Sequence, residues 1–176
     1  MTQPLDRQYP IGRFQRPAAF SPESRRAAIQ VLAALPAELQ SLVGAASPSQ
    51  LEQRYRQGGW TIRELAHHVA DSHLNAYIRM KMALTETNPA IFVYNEALWA
   101  KLPDVTAAPP SVSLHLLDAL HQRWIALLRQ LSEADFQRCY QHPEQGLVPL
   151  DACLALYAWH SRHHAAHIRL ALTSPA

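Results

Sequence analysis

Residues 58–89 read GGWTIRELAHHVADSHLNAYIRMKMALTETNP. Thr61 followed three residues later by Glu64 is a capping box, in which each side chain satisfies the other residue's backbone amide. Trp60 and Leu65 occupy the apolar staple positions that flank such a start. The run after Thr61 contains neither glycine nor proline, and Pro89 disfavours helix in the residue before it. The pattern therefore predicts one long helix over about 62–86.

The same logic finds three more long helices. Ser21 and Pro22 open one as N-cap and first helical residue, and Ile29, Leu32, Leu35, Leu39 and Leu42 continue it at helical period. Pro36 intrudes on that stripe and is expected to kink the helix or break it in two. A third runs over about 113–130, with Leu114, Leu117, His121, Trp124 and Leu128 on one stripe. The last covers about 150–172. Ser132 and Asp135 cap a short helix between these two, and QHPEQGLVP reads as a polar turn. The connection over 88–112 is long enough to be functional or to hold a short helix, for which NEALWAKL is the candidate. The expected fold is all-α: a four-helix bundle with additional short helices in the connections. Residues 1–20 read as an irregular arm and 21–176 as one bundle domain.

Composition agrees. The chain has 176 residues, only 5 glycines, and 48% hydrophobic residues, enough to bury a core without disulfides. Net charge is +2, and no basic cluster is interleaved with aromatics, so nucleic acid is not an expected partner. Nor is a membrane, since no run of about 18 apolar residues occurs. Cys139 and Cys153 match no zinc spacing and fit a reduced, cytoplasmic setting.

The histidines are the unusual feature: WHSRHHAAHI, residues 159–168, holds four of the ten in the chain. At about 100° per residue, Arg162 and Arg169 mark the solvent pole of the last helix, and His160, His164 and His167 lie opposite. Both His160/His164 and His163/His167 have the i, i+4 spacing that brings two imidazoles to one ion, and spacing does not choose between them. On the helix over 62–86, His68 lies away from Arg63 and Lys81, whereas His67 lies near their side. Three inward histidines from two helices make a metal site, and a hydrogen-bonded core cluster is the rival reading.

GGWTIRELAHHVADSH together with YAWHSRHHAAHI resembles the DinB-like superfamily, and within it the YfiT branch of metal-dependent hydrolases. YPIGRF, PAIFVYNEALW, LHQRW and YQHPE extend the likeness along most of the chain. The resemblance implies a four-helix bundle with one divalent ion per chain, zinc or else nickel. It implies His68, His160 and His164 as ligands, which resolves the tie on the last helix. It also implies a cytoplasmic homodimer, and a relation to thiol transferases that join bacillithiol or mycothiol to electrophiles.

The expected activity is metal-assisted hydrolysis of a small molecule by an activated water. The alternative is transfer of a low-molecular-weight thiol to an electrophile, and a second alternative is a non-catalytic metal-binding bundle. No glutamate stands beside the ligands as in HExxH enzymes, and the general acid or base is not identified. Asp71 orients a ligand imidazole or is a solvated helix position. Arg79 binds a substrate anion or pairs with a carboxylate. His121 is a proton shuttle or a hydrogen-bonded core residue, and His163 and His167 support the ligands or merely pack. Tyr94 and Glu96 reach the cavity or pack in their loop. His67 and His73 are read as structural or exposed, and His115 and His142 as surface.

Overall fold

The structure, a computed structural model, describes residues 6–173, so the first five residues of the arm and the last three of the chain lie outside it. Four long helices form the body: α1 (Pro22–Gly44), α3 (Ile62–Thr85), α6 (Pro110–Leu128) and α8 (Leu150–Leu172). Short helices α2 (Pro48–Leu51), α4 (Glu96–Trp99), α5 (Pro103–Ala107) and α7 (Glu133–Phe136) punctuate the connections.

The starts follow from their caps. The Ser21 backbone N–H donates to Ser24 Oγ, and Ser21 Oγ accepts from the Ser24 amide. Thr61 Oγ1 accepts from the Glu64 amide at 3.1 Å while Glu64 Oε2 accepts from the Thr61 amide at 2.7 Å. Ser132 and Asp135 repeat the device at α7. Pro110 at the first helical position starts α6 a few residues before its apolar stripe.

α1 is not broken at Pro36 but runs through it. What the proline removes is the amide that would bond the Leu32 carbonyl, four residues earlier. An 18-residue window of α1 has mean hydropathy 1.3, yet Leu32, Leu35, Leu39 and Val43 are spent on the core.

α1 packs against α6 and α8, and α3 packs against the same two, so α1 and α3 sit on a diagonal. The core has two apolar clusters. Leu32, Ala76, Met80, Trp124, Leu154 and Tyr157 belong to one, and Leu39, Leu65, Val69, Leu117, Ala165 and Ile168 to the other. α1 and α8 pass from the first cluster to the second, and α3 and α6 run the other way, so each helix has one parallel and one antiparallel neighbour. Between the clusters lies a polar layer containing Ser72, His73, His121, His160 and His164.

The expected polar turn is a β-hairpin, β1 (Cys139–His142) paired antiparallel with β2 (Gly146–Pro149). Tyr140 and Val148 face each other across it and are both buried against the first cluster, so two inward side chains justify the strands. Gly146 has φ +70°, a conformation that other residues rarely adopt. Gln141 exchanges backbone bonds with Pro89 and Ile91, fastening the 88–95 stretch beside the bundle.

One buried ion pair ties the ends together. Arg25 of α1 grips Asp151 in the first turn of α8 with two bonds, of 2.6 and 2.8 Å.

Candidate metal centre

α3 delivers His68, and α8 delivers His160 and His164 from successive turns. His68 Nε2 lies 3.3 Å from His160 Nε2, and His164 Nε2 lies 3.1 Å from the same atom. In a tetrahedral site with metal–nitrogen bonds of about 2.0–2.1 Å, ligand nitrogens stand about 3.3 Å apart. Among the described residues these three form the group whose ligand atoms converge for an ion.

The outer nitrogens test that fit. His167 Nε2 lies 3.2 Å from the Gln8 carbonyl of the N-terminal arm. A carbonyl only accepts, so the His167 proton is on Nε2 and its Nδ1 is an acceptor. His167 Nδ1 is 3.3 Å from His164 Nδ1, which must then donate. That leaves His164 Nε2 with a bare lone pair aimed at the cluster. The donor set therefore suits a cation.

Burial enforces neutrality. Desolvation lowers the His68 pKa to about 4. It also holds His160 and His164 well below the usual histidine value, with the neighbouring imidazoles adding to the effect. Neutral imidazole is the form that binds metal.

Aromatic rings pack around the histidines. Trp60 lies 4.4 Å from the His68 ring centroid. Tyr55 stacks on His167 at 3.8 Å. Gly59 permits that stack, because a Cβ there would come within 2.9 Å of the Tyr55 ring. His163 is sandwiched between Trp159 and Tyr9, and Trp159 Nε1 donates to the Gly12 carbonyl. The arm thus lies along α8.

The three ligand candidates floor a cavity of about 920 Å³. Its walls include Trp60, Ser72, Arg79, Tyr94, Glu96 and Tyr157. Among the described residues Arg79 pairs with no carboxylate; it donates to the Phe92 carbonyl at 2.9 Å. Ser72 Oγ donates to Tyr157 Oη at 3.3 Å, and burial pushes the Tyr157 phenol well above its ordinary pKa, so it stays a donor. Tyr94 also packs against Trp99 in its loop, the two rings tilted at 38°.

Other expectations are redistributed. Asp71 makes no hydrogen bond to a ligand imidazole; its carboxyl is half-buried and raised to about 6 by desolvation, then by Asp104. His121 is a hydrogen-bonded core residue, with Nδ1 2.7 Å from the Leu32 carbonyl. His115 is exposed. His142 is buried rather than on the surface: it accepts from the Glu144 amide and lines the cavity because the hairpin folds it inward. His67 is buried too, 2.8 Å from Ser113 Oγ, since the start of α6 covers the side of α3 that Arg63 suggested was open. His73 is fully buried. Periodicity does not single it out, because it points away from His68 on α3; only the packing of α3 on α6 and α8 gives it partners.

The chain belongs to the DinB superfamily, whose family model matches residues 23–168. It is 48% identical over 161 residues to a Bacillus subtilis (strain 168) protein named "Putative metal-dependent hydrolase YfiT", covering 91% of this chain and 90% of that one. A similarly named Halalkalibacterium halodurans protein is 44% identical over 168 residues, covering 96% and 98%. The solved structure of the Bacillus subtilis protein, described as having an unusual four-helix bundle topology, superposes with a TM-score of 0.89 over 93% of this chain and 94% of that one. The four-helix bundle TT2238, 20% identical, shares the fold at a TM-score of 0.58 over 80% and 94%.

Proposed function

We propose that the chain is a metal-dependent hydrolase acting on a small molecule. The observation that carries this reading is the convergence of three neutral imidazole nitrogens, from buried His68 and His164 and half-buried His160, at the floor of a wide cavity. His68, His160 and His164 would hold one divalent ion. When bound, the ion supplies Lewis acidity and makes water nucleophilic near neutral pH. Zinc suits three imidazoles with an open position, and nickel is the second choice. The names of the relatives support metal dependence and hydrolysis.

The chain's own residues supply the rest. Arg79 on the cavity wall offers a cation to an anionic substrate group. The Tyr157 hydroxyl, held by Ser72, donates a hydrogen bond to a substrate oxygen. Trp60 and Tyr94 provide aromatic walls that exclude water. We further propose a cytoplasmic homodimer, with both cysteines reduced.

The test is metal content per chain by elemental analysis, for protein purified without chelator, followed by turnover of an ester and amide panel. One ion per chain with metal-dependent ester or amide cleavage is expected. Activity only when a low-molecular-weight thiol and an electrophile are both present would replace hydrolysis with thiol transfer. Wild-type protein that takes up neither zinc nor nickel would overturn the reading.

A further inference from the structure

Behind the ligands, on the side away from the cavity, three imidazoles form a row through the polar layer. His160 Nδ1 on α8 lies 3.2 Å from His73 Nε2 on α3. His73 Nδ1 lies 2.9 Å from His121 Nε2 on α6. His121 Nδ1 lies 2.7 Å from the Leu32 carbonyl on α1. All four long helices contribute one member.

The far end fixes the direction. Within a helix the Leu32 carbonyl would accept from the amide of residue 36, but residue 36 is proline and has none. The freed carbonyl can only accept, so the His121 proton sits on Nδ1. A neutral imidazole has one N–H, which makes His121 Nε2 an acceptor. His73 must therefore donate from Nδ1, leaving its Nε2 as an acceptor. His160 must then donate from Nδ1, and its Nε2 is bare. His73 is fully buried and packed edge-on against Trp124 and Tyr157, where a charged ring would be costly.

We propose that His73 and His121 are positioning residues that, anchored on the carbonyl freed by Pro36, set the tautomer of His160 and hold its Nε2 lone pair toward the metal point. This rests on the metal reading of His68, His160 and His164. Removing such outer partners commonly weakens metal binding by about 10–100-fold. His164 has a separate anchor, through His167 to the Gln8 carbonyl, and serves as an internal control.

The experiment is long-range proton–nitrogen NMR of histidine-labelled, metal-free protein near pH 7.5, with zinc affinity measured by chelator competition. In the wild type, His121, His73 and His160 should all carry the proton on Nδ1. In His121→Phe, His73 and His160 should shift toward the Nε2–H form while His164 keeps its tautomer, and zinc affinity should fall about 10–100-fold. His121→Gln retains an acceptor for His73 and should stay within a few-fold of wild type. A wild-type His160 protonated on Nε2 overturns the proposal, and needs no variant to fold. So does a His121→Phe protein with unchanged tautomers and unchanged affinity. If the wild type binds no metal yet shows the three Nδ1 protons, the row is upheld and the hydrolase reading fails instead.

Discussion

His160 Nε2 and His164 Nε2 stand 3.1 Å apart on successive turns of α8. The Gln8 anchor makes the second of these a bare lone pair, as the four-helix row makes the first. Two such pairs facing each other repel, and a cation between them removes the repulsion. Adding zinc at about 100 times Kd should therefore stabilise the fold by about 2.7 kcal/mol, and chelation should reverse it. His160→Ala and His164→Ala should each lose the bound ion and this response. Calorimetric scans with and without zinc check it.

Trp60 offers an optical reading of the same site. Its ring lies 4.4 Å from His68, so a paramagnetic ion held by that imidazole should quench it. Nickel titration should reduce tryptophan fluorescence in the wild type, and Trp60→Phe should remove most of the reduction. A full quench persisting in Trp60→Phe would place the ion elsewhere.

Acid should undo the metal-free protein early. Burial lowers the His121 pKa to about 4, against 6.5 for an ordinary histidine. A histidine depressed in the folded state binds protons more readily unfolded, so its stabilising contribution is full above pH 6.5. It is then lost as pH falls through the window down to about 4. At about 1.36 kcal/mol per pKa unit, His121 contributes on the order of 3 kcal/mol to this slope. Denaturant midpoints between pH 7.5 and 4 should fall steeply, and less steeply in His121→Phe.

Arg25 and Asp151 are both buried and doubly bonded. Asp151→Ala leaves the buried guanidinium with only the exposed Glu133 carboxylate, 3.7 Å away, and should cost about 3–5 kcal/mol. Replacing both with apolar residues, as in Arg25→Met with Asp151→Leu, should cost clearly less than the single change. Thermal melts of the two variants compare them directly.

Much of this architecture is legible before any coordinates. Capping boxes at Thr61 and Ser132 and the proline at position 22 place helix starts because each acts locally, the boxes through reciprocal hydrogen bonds and the proline through its fixed φ. The candidate ligand set is partly legible, since periodicity puts His68, His160 and His164 inward but cannot separate His160/His164 from His163/His167; the family likeness separates them. His142 is misread, and His67 and His73 are left between structural and exposed, for one shared reason. Periodicity gives the direction of a side chain on its own helix, but not which neighbour covers it. α6 covers His67 and His73, and a hairpin masked by its polar turn residues folds His142 inward. Pro36 is read as a kink or a break because its effect on its own helix is local, whereas its use by His121 is not.

The row of imidazoles ends on a main-chain oxygen. No side-chain replacement at position 32 removes that atom, so a scan of single substitutions would record Leu32 only as a packing position. The trace visible to genetics falls four residues downstream, at Pro36, a residue that touches none of the three candidate ligand histidines through its own polar atoms. An amide-to-ester exchange at the Leu32–Ala33 peptide would weaken the carbonyl as an acceptor without altering any side chain, and so would expose what a mutational map of this protein leaves blank.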